Sequence, residues 1–152
     1  MPDIRPVFNQ LNIVSGNTAA SVAFYRRLGV VLPEQNVWRT DTGIHHANAV
    51  SADASGALHL DLDSVAFARL WNAGWRDRPD LAGRVVVGFG VGPRENVDRL
   101  HAEMKQAGYR SLQVPCDAFW GARYAVIEDP DGIAVGLMSD ISADRKSPPP
   151  DV

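Results

Sequence analysis

The stretch Leu58-His59-Leu60-Asp61-Leu62-Asp63 carries the densest run of side chains that could do chemistry. Apolar and polar residues alternate there, and successive side chains of a strand point to opposite faces. The leucines must then face a core, with His59, Asp61 and Asp63 on the other side. An imidazole near carboxylates can move protons close to neutral pH, so His59 and Asp61 are the candidate catalytic residues. Asp63 immediately precedes Ser64, where a cap or turn role competes with ligand contact. Upstream, Gln10 and Asn12 alternate with Leu11 and Ile13, which brings two amides to one face of a first strand. His45 and His46 are neighbours and point to opposite faces, so at most one can share the site's face. His101 lies among helix charges and is expected to be solvated. Cys116 has no motif that supplies a base, which argues against a nucleophile. Arg123 can pair with Asp117 or Glu128, or contact a ligand.

Strands and helices must position these groups. Residues 7–14 alternate as a half-buried strand. Asn17 or Thr18 can cap a helix on which Ala20, Phe24 and Leu28 recur, and Gly29 supplies its left-handed stop. Weaker strands follow at Val37–Thr40 and Ile44–Val50, and Leu58–Asp63 is the fourth. Ser64 can start a short helix with Phe67 and Trp71, closed by Gly74. The pattern then restarts: a strand over Arg84–Val91, Pro93 at a helix start, the stripe Val97, Leu100 and Met104, and the stop Gly108. Strands near Ser111–Val114 and Arg123–Glu128 lead to Asp129-Pro130-Asp131-Gly132, which fits a tight turn. Ile133–Met138 is the last strand. Gly29 and Gly108 stand about half a chain apart, the mark of a duplicated unit.

Composition bounds the function classes. At 152 residues, with 45% hydrophobic and 22% charged residues, the chain is an ordinary globular one. A net charge of -3 gives no footprint for nucleic acid. The single cysteine excludes an internal disulfide and fits a reducing compartment. The N-terminus has no apolar stretch of signal-peptide length, and no run approaches a membrane span. A cytoplasmic protein is therefore expected. Residues 7–63 form the first module and 64–82 a linker with a short helix. Residues 83–138 form the second module. The polar, Pro-rich stretch 139–152 is read as a frayed tail.

A βαβββ unit used twice resembles the vicinal-oxygen-chelate superfamily, which includes glyoxalases, bleomycin-resistance proteins and extradiol dioxygenases. The local strings agree with it. Ser21-Val22-Ala23-Phe24-Tyr25-Arg26-Arg27-Leu28-Gly29 resembles the family's first-helix ending. Asp129-Pro130-Asp131-Gly132 resembles its turn before the last strand, and Phe119-Trp120-Gly121-Ala122-Arg123 a stretch of its bleomycin-resistance-like branch. The resemblance implies an α+β fold: two tandem βαβββ modules forming a curled mixed sheet around a cavity, with helices on the outer faces. It also implies a homodimer.

Metal-using members take ligands from the first and last strands of each module. The resemblance puts these positions at Gln10, Asp61, Val86 (or Arg84, two residues earlier, if the register slips) and Gly136. Such chemistry needs about three protein ligands around an ion with open positions. Valine and glycine donate nothing, so no cofactor is expected, and a divalent ion on a new arrangement of His45 or His46, His59 and Asp61 is the alternative. If Gln10 and Asp61 face the cavity, Asn12, His59 and Asp63 join them on a polar wall. Val86, Gly88, Gly90, Ala134, Gly136 and Met138 line an open, apolar one. Trp38, Phe119, Trp120 and Tyr124 lie in or beside the later strands, whereas Trp71 and Trp75 read as packing. The expected ligand-binding set is Gln10, Asn12, Trp38, His59, Asp61, Trp120 and Arg123. The expected function is binding of a small organic molecule without metal; the alternatives are a metal-free isomerase, cyclase or lyase, and a metal-dependent lyase or dioxygenase.

Overall fold

A computed structural model describes residues 10–50, 58–71 and 85–148. Residues 7–9, Gly74, Trp75, Arg84 and residues 149–152 lie outside the described residues, as do the side chains of Gln10 and Trp71. The chain divides into two compact units, Met1–Asp77 and Arg78–Val152. Each carries one four-stranded mixed sheet with a helix packed on it.

The first unit runs β1 (Gln10–Ser15), α1 (Thr18–Arg27), β2 (Val37–Thr40), β3 (Gly43–Asn48) and β4 (His59–Ser64). Its strand order is β1-β4-β3-β2, with β1 and β4 parallel and the other pairs antiparallel. Asn17 caps α1: its side-chain oxygen accepts from the Ala20 N–H at 3.0 Å. The helix ends at Gly29, whose φ of 85° is the left-handed conformation that glycine adopts without strain. Helix α1 packs on β3 and β4 and buries Val22, Phe24 and Tyr25 together with Ile13, Ala47 and Leu62. Ser15 and Ser21 share a hydrogen bond of 2.7 Å across this contact. Of the three leucines expected under a helix, Leu62 is fully buried and Leu60 half-buried. Leu58 is 49% exposed, because β4 begins one residue after it.

Still within the first unit, α2 (Val65–Trp71) starts where the Ser64 hydroxyl accepts from the Phe67 N–H at 3.1 Å. The second unit repeats the first: β5 (Val86–Gly90), α3 (Arg94–Gln106), β6 (Ser111–Asp117), β7 (Arg123–Glu128) and β8 (Ala134–Met138). Its order is β5-β8-β7-β6, with β5 and β8 parallel. The chain is thus α+β, two tandem βαβββ modules. Val87, Val97, Met104, Ala125, Ile127, Val135 and Leu137 form the second core. The turn into β8 closes on buried Asp129, whose carboxylate accepts from the N–H groups of Asp131 (2.8 Å) and Ile133 (2.9 Å).

Two expectations are corrected here. His101 is buried, not solvated, and its Nε2 lies 2.8 Å from the Ser111 hydroxyl. It shares the inward stripe with Val97 and Met104. Of the stretch read as a frayed tail, residues 140–147 are tied down by backbone hydrogen bonds. The Ser142 N–H donates to the Gly121 carbonyl (3.0 Å) and the Ser147 N–H to the Phe119 carbonyl (2.9 Å). A 3-10 turn, Ala143–Arg145, lies between them. Among the described residues, no helix is long and apolar enough to cross a membrane.

Candidate functional site

The face of the first sheet opposite α1 is polar and internally paired. Parallel pairing sets Asn12 opposite Asp61, and antiparallel pairing sets His46 opposite Asp63 and Asn48 opposite Asp61. Side chains of one parity on three adjacent strands therefore converge. Asp63, with no exposed surface, accepts from Asn12 Nδ2 at 2.7 Å and from His46 Nδ1 at 2.6 Å. Asp61, also buried, accepts from Asn48 Nδ2. A buried carboxylate is costly unless hydrogen bonds replace its water, and here the neighbouring strands supply them. Phe67 of α2 packs edge-on against His46 at 5.6 Å between ring centres and against Trp38 at 5.3 Å. Trp38 itself remains 48% exposed.

The structure decides which histidine joins this face. His46 belongs to it. His45 is held instead by Ser64 at Nδ1 (2.9 Å) and by Thr40 and Thr42 at Nε2 (2.9 Å each), and its ring packs against Trp38 at 5.1 Å. Asp63 is the buried acceptor of the group, and the capping role falls to Ser64. His59 is exposed at the start of β4, and the histidine–carboxylate pair is His46–Asp63 instead of His59–Asp61. Asn48 was missed, and the choice between His45 and His46 stayed open, because parity becomes decisive only once β3 is set beside β4.

The corresponding face of the second sheet is small and apolar. Val86 precedes by two residues Gly88, which lies opposite Gly136; Gln10 precedes by two Asn12, which lies opposite Asp61. The two pairs hold equivalent places in the repeat. Val86 is 52% exposed, and Gly88 and Gly90 have open space where a side chain would project. Gly136 does not: a Cβ there would stand 2.6 Å from the Tyr124 hydroxyl. Tyr124 packs edge-on against Trp120 at 5.4 Å, and Trp120 against Phe119 at 5.1 Å. The Trp120 indole nitrogen is buried without an acceptor among the described residues.

Arg123 is engaged within its own module. Its guanidinium forks onto Asp98 of α3 (3.0 and 2.6 Å) and donates to Asp117 at 3.1 Å. These hydrogen bonds hold the Asp98 and Asp117 carboxyls below the usual carboxylate range and raise the guanidinium further. The expected ligand contact gives way to a structural pair, because planar two-point bonding satisfies the fork.

Residues 7–137 match the sequence profile of the Glyoxalase/Bleomycin resistance protein/Dioxygenase superfamily, and the chain belongs to it. A glyoxalase/bleomycin resistance protein/dioxygenase from Nocardioides is similar in structure, with a TM-score of 0.67 and 21% identity over 98% of this chain and 91% of that one. A glyoxalase-related enzyme from Fulvimarina pelagi gives a TM-score of 0.70 at 18% identity, over 93% of this chain and 95% of that one. A family enzyme from Burkholderia phytofirmans PsJN gives 0.68 at 17% identity, over 88% of this chain and 98% of that one. At these identities the likeness is one of fold. No curated protein matches the chain.

The superfamily implies a divalent metal, and the residues at its places do not fit one. Val86 has no donor, and Gly136 has none and is covered by the Tyr124 phenol. Asp61 and Asp63 already accept hydrogen bonds from side chains of neighbouring strands. Among the described residues no group of three or more His, Cys, Asp or Glu could hold an ion. An amide and one carboxylate are a weak set for a transition metal.

Proposed function

We propose that this chain binds a small organic molecule on the polar face of its first module, without the superfamily's metal. The observation that carries this reading is the Asn12–Asp63–His46 chain of hydrogen bonds, flanked by Phe67 and the half-exposed Trp38. Binding sites join apolar walls to a few fixed polar groups, and this face offers both. His59, at the start of β4 and paired with Gln10 in the β1–β4 ladder, extends the face. A homodimer in the cytoplasm is part of the proposal, which sedimentation at micromolar concentration and localisation of a tagged chain would test.

The testing experiment is a thermal-shift and calorimetric screen of planar organic acids and phenols against metal-depleted protein. Saturable binding that Trp38→Ala and Asn12→Ala each weaken supports the proposal. Binding that appears only after a divalent ion is restored overturns it.

A further inference from the structure

We infer that His46 is a catalytic base, positioned by Asp63, for a metal-free proton transfer on the bound molecule; this rests on the ligand site proposed above. A carboxylate only accepts hydrogen bonds, so the 2.6 Å contact requires His46 to donate through Nδ1–H. In the neutral ring the lone pair then lies on Nε2, which has no hydrogen-bond partner among the described residues. The arrangement is rigid. Asp63 has no exposed surface and is held from its other side by Asn12 at 2.7 Å. Phe67 packs against the imidazole edge-on. The ring nevertheless keeps 30% of its side-chain surface exposed. An acceptor buried behind a partly exposed imidazole fixes tautomer and direction, which a solvated histidine lacks. His45 is the internal contrast, with both of its nitrogens bonded to hydroxyls.

The chemistry needs no co-reactant. Nε2 takes a proton from the α carbon of a β,γ-unsaturated carbonyl compound, the C–H pair moves into the dienolate, and the imidazolium returns the proton to the γ carbon. The substrate class is therefore a β,γ-unsaturated carbonyl compound, and the reaction is its isomerisation to the α,β-unsaturated one.

The test uses 5-nitrobenzisoxazole, a flat carbon acid that reports on a presented base. The base takes the ring C–H proton, the C–H electrons form the nitrile, the N–O bond breaks, and the oxygen leaves as phenolate. Wild-type protein should eliminate the probe about tenfold or more faster than His46→Gln, in line with general-base contributions. Cys116→Ala should match the wild type. Nitrogen-15 NMR of wild-type protein should place the neutral His46 proton on Nδ1, with Asp63→Asn losing that preference. This arm stands even if His46→Gln fails to fold. Equal rates in wild type and His46→Gln, or a proton on Nε2, would overturn the inference. Equilibrium dialysis with the phenol product separates it from the binding reading. Binding without accelerated elimination sinks the base alone, and neither binding nor elimination sinks both.

Discussion

The Tyr124 hydroxyl lies 2.6 Å from the point where a Cβ on Gly136 would stand, so the second module fills with a phenol the place where the superfamily puts a ligand side chain. The ring atoms Cε2 and Cζ would stand 3.0 and 3.1 Å from that Cβ. Any side chain at position 136 must move the ring. Gly136→Ala should therefore destabilise the protein by roughly 1–3 kcal/mol, the usual range for overpacking. Combining it with Tyr124→Ala should recover part of that loss, a coupling that a double-mutant cycle of thermal melts would read. Additive effects would contradict the contact.

Burial lowers the proton affinity of His101, with the Lys105 charge acting in the same direction and Asp98 opposing. The folded state then holds this proton less tightly than the unfolded state does. Between the lowered value and the ordinary value of 6.5, the unfolded chain binds more protons, so stability falls as pH drops through that window. Melting temperature followed from pH 8 to pH 5 should decline, and His101→Gln should flatten the slope. An unchanged slope would sink the assignment.

Arg123 and Asp98 form a bidentate pair that also reaches Asp117. Both carboxylates are held below their ordinary values, chiefly by the Arg123 hydrogen bonds. Their contribution is present above the ordinary value of 3.8 and lost as pH falls through the lowered one. Asp98 and Asp117 are well exposed, so Arg123→Ala should lower the melting temperature by only about 2–5 °C. Arg123→Lys should recover little, since one ammonium cannot reproduce the fork. Full recovery by lysine would show the pair to be simple charge attraction.

Much of this fold was legible before any coordinates. Gly29 and Gly108 mark the two helix stops, and the Asp129–Gly132 turn and the alternation of β4 stand where the sequence puts them. The site was half legible. Strand parity placed Asn12, Asp61 and Asp63 on one face, but parity within one strand cannot choose between His45 and His46. Only the pairing of β3 with β4 makes that choice. Asp98, the partner of Arg123, lies 25 positions away, beyond the reach of local pattern. His101 carried a usable signal: it falls four residues after Val97 and three before Met104, on the apolar stripe. Composition misled at the C-terminal stretch, because proline content says nothing about backbone bonds to the loop at Phe119 and Gly121.

The central claim is a ligand site that works without metal, and elemental analysis joined to a chelator melt tests it most directly. An ion held by the folded state would stabilise it by mass action, so removing the ion would lower the melting point. The expected result is no stoichiometric zinc, nickel, iron or manganese in purified protein, and melting and ligand-binding curves that superimpose with and without 1,10-phenanthroline or EDTA. One such ion per chain, with a melting temperature that falls on chelation and returns on readdition, would contradict the claim.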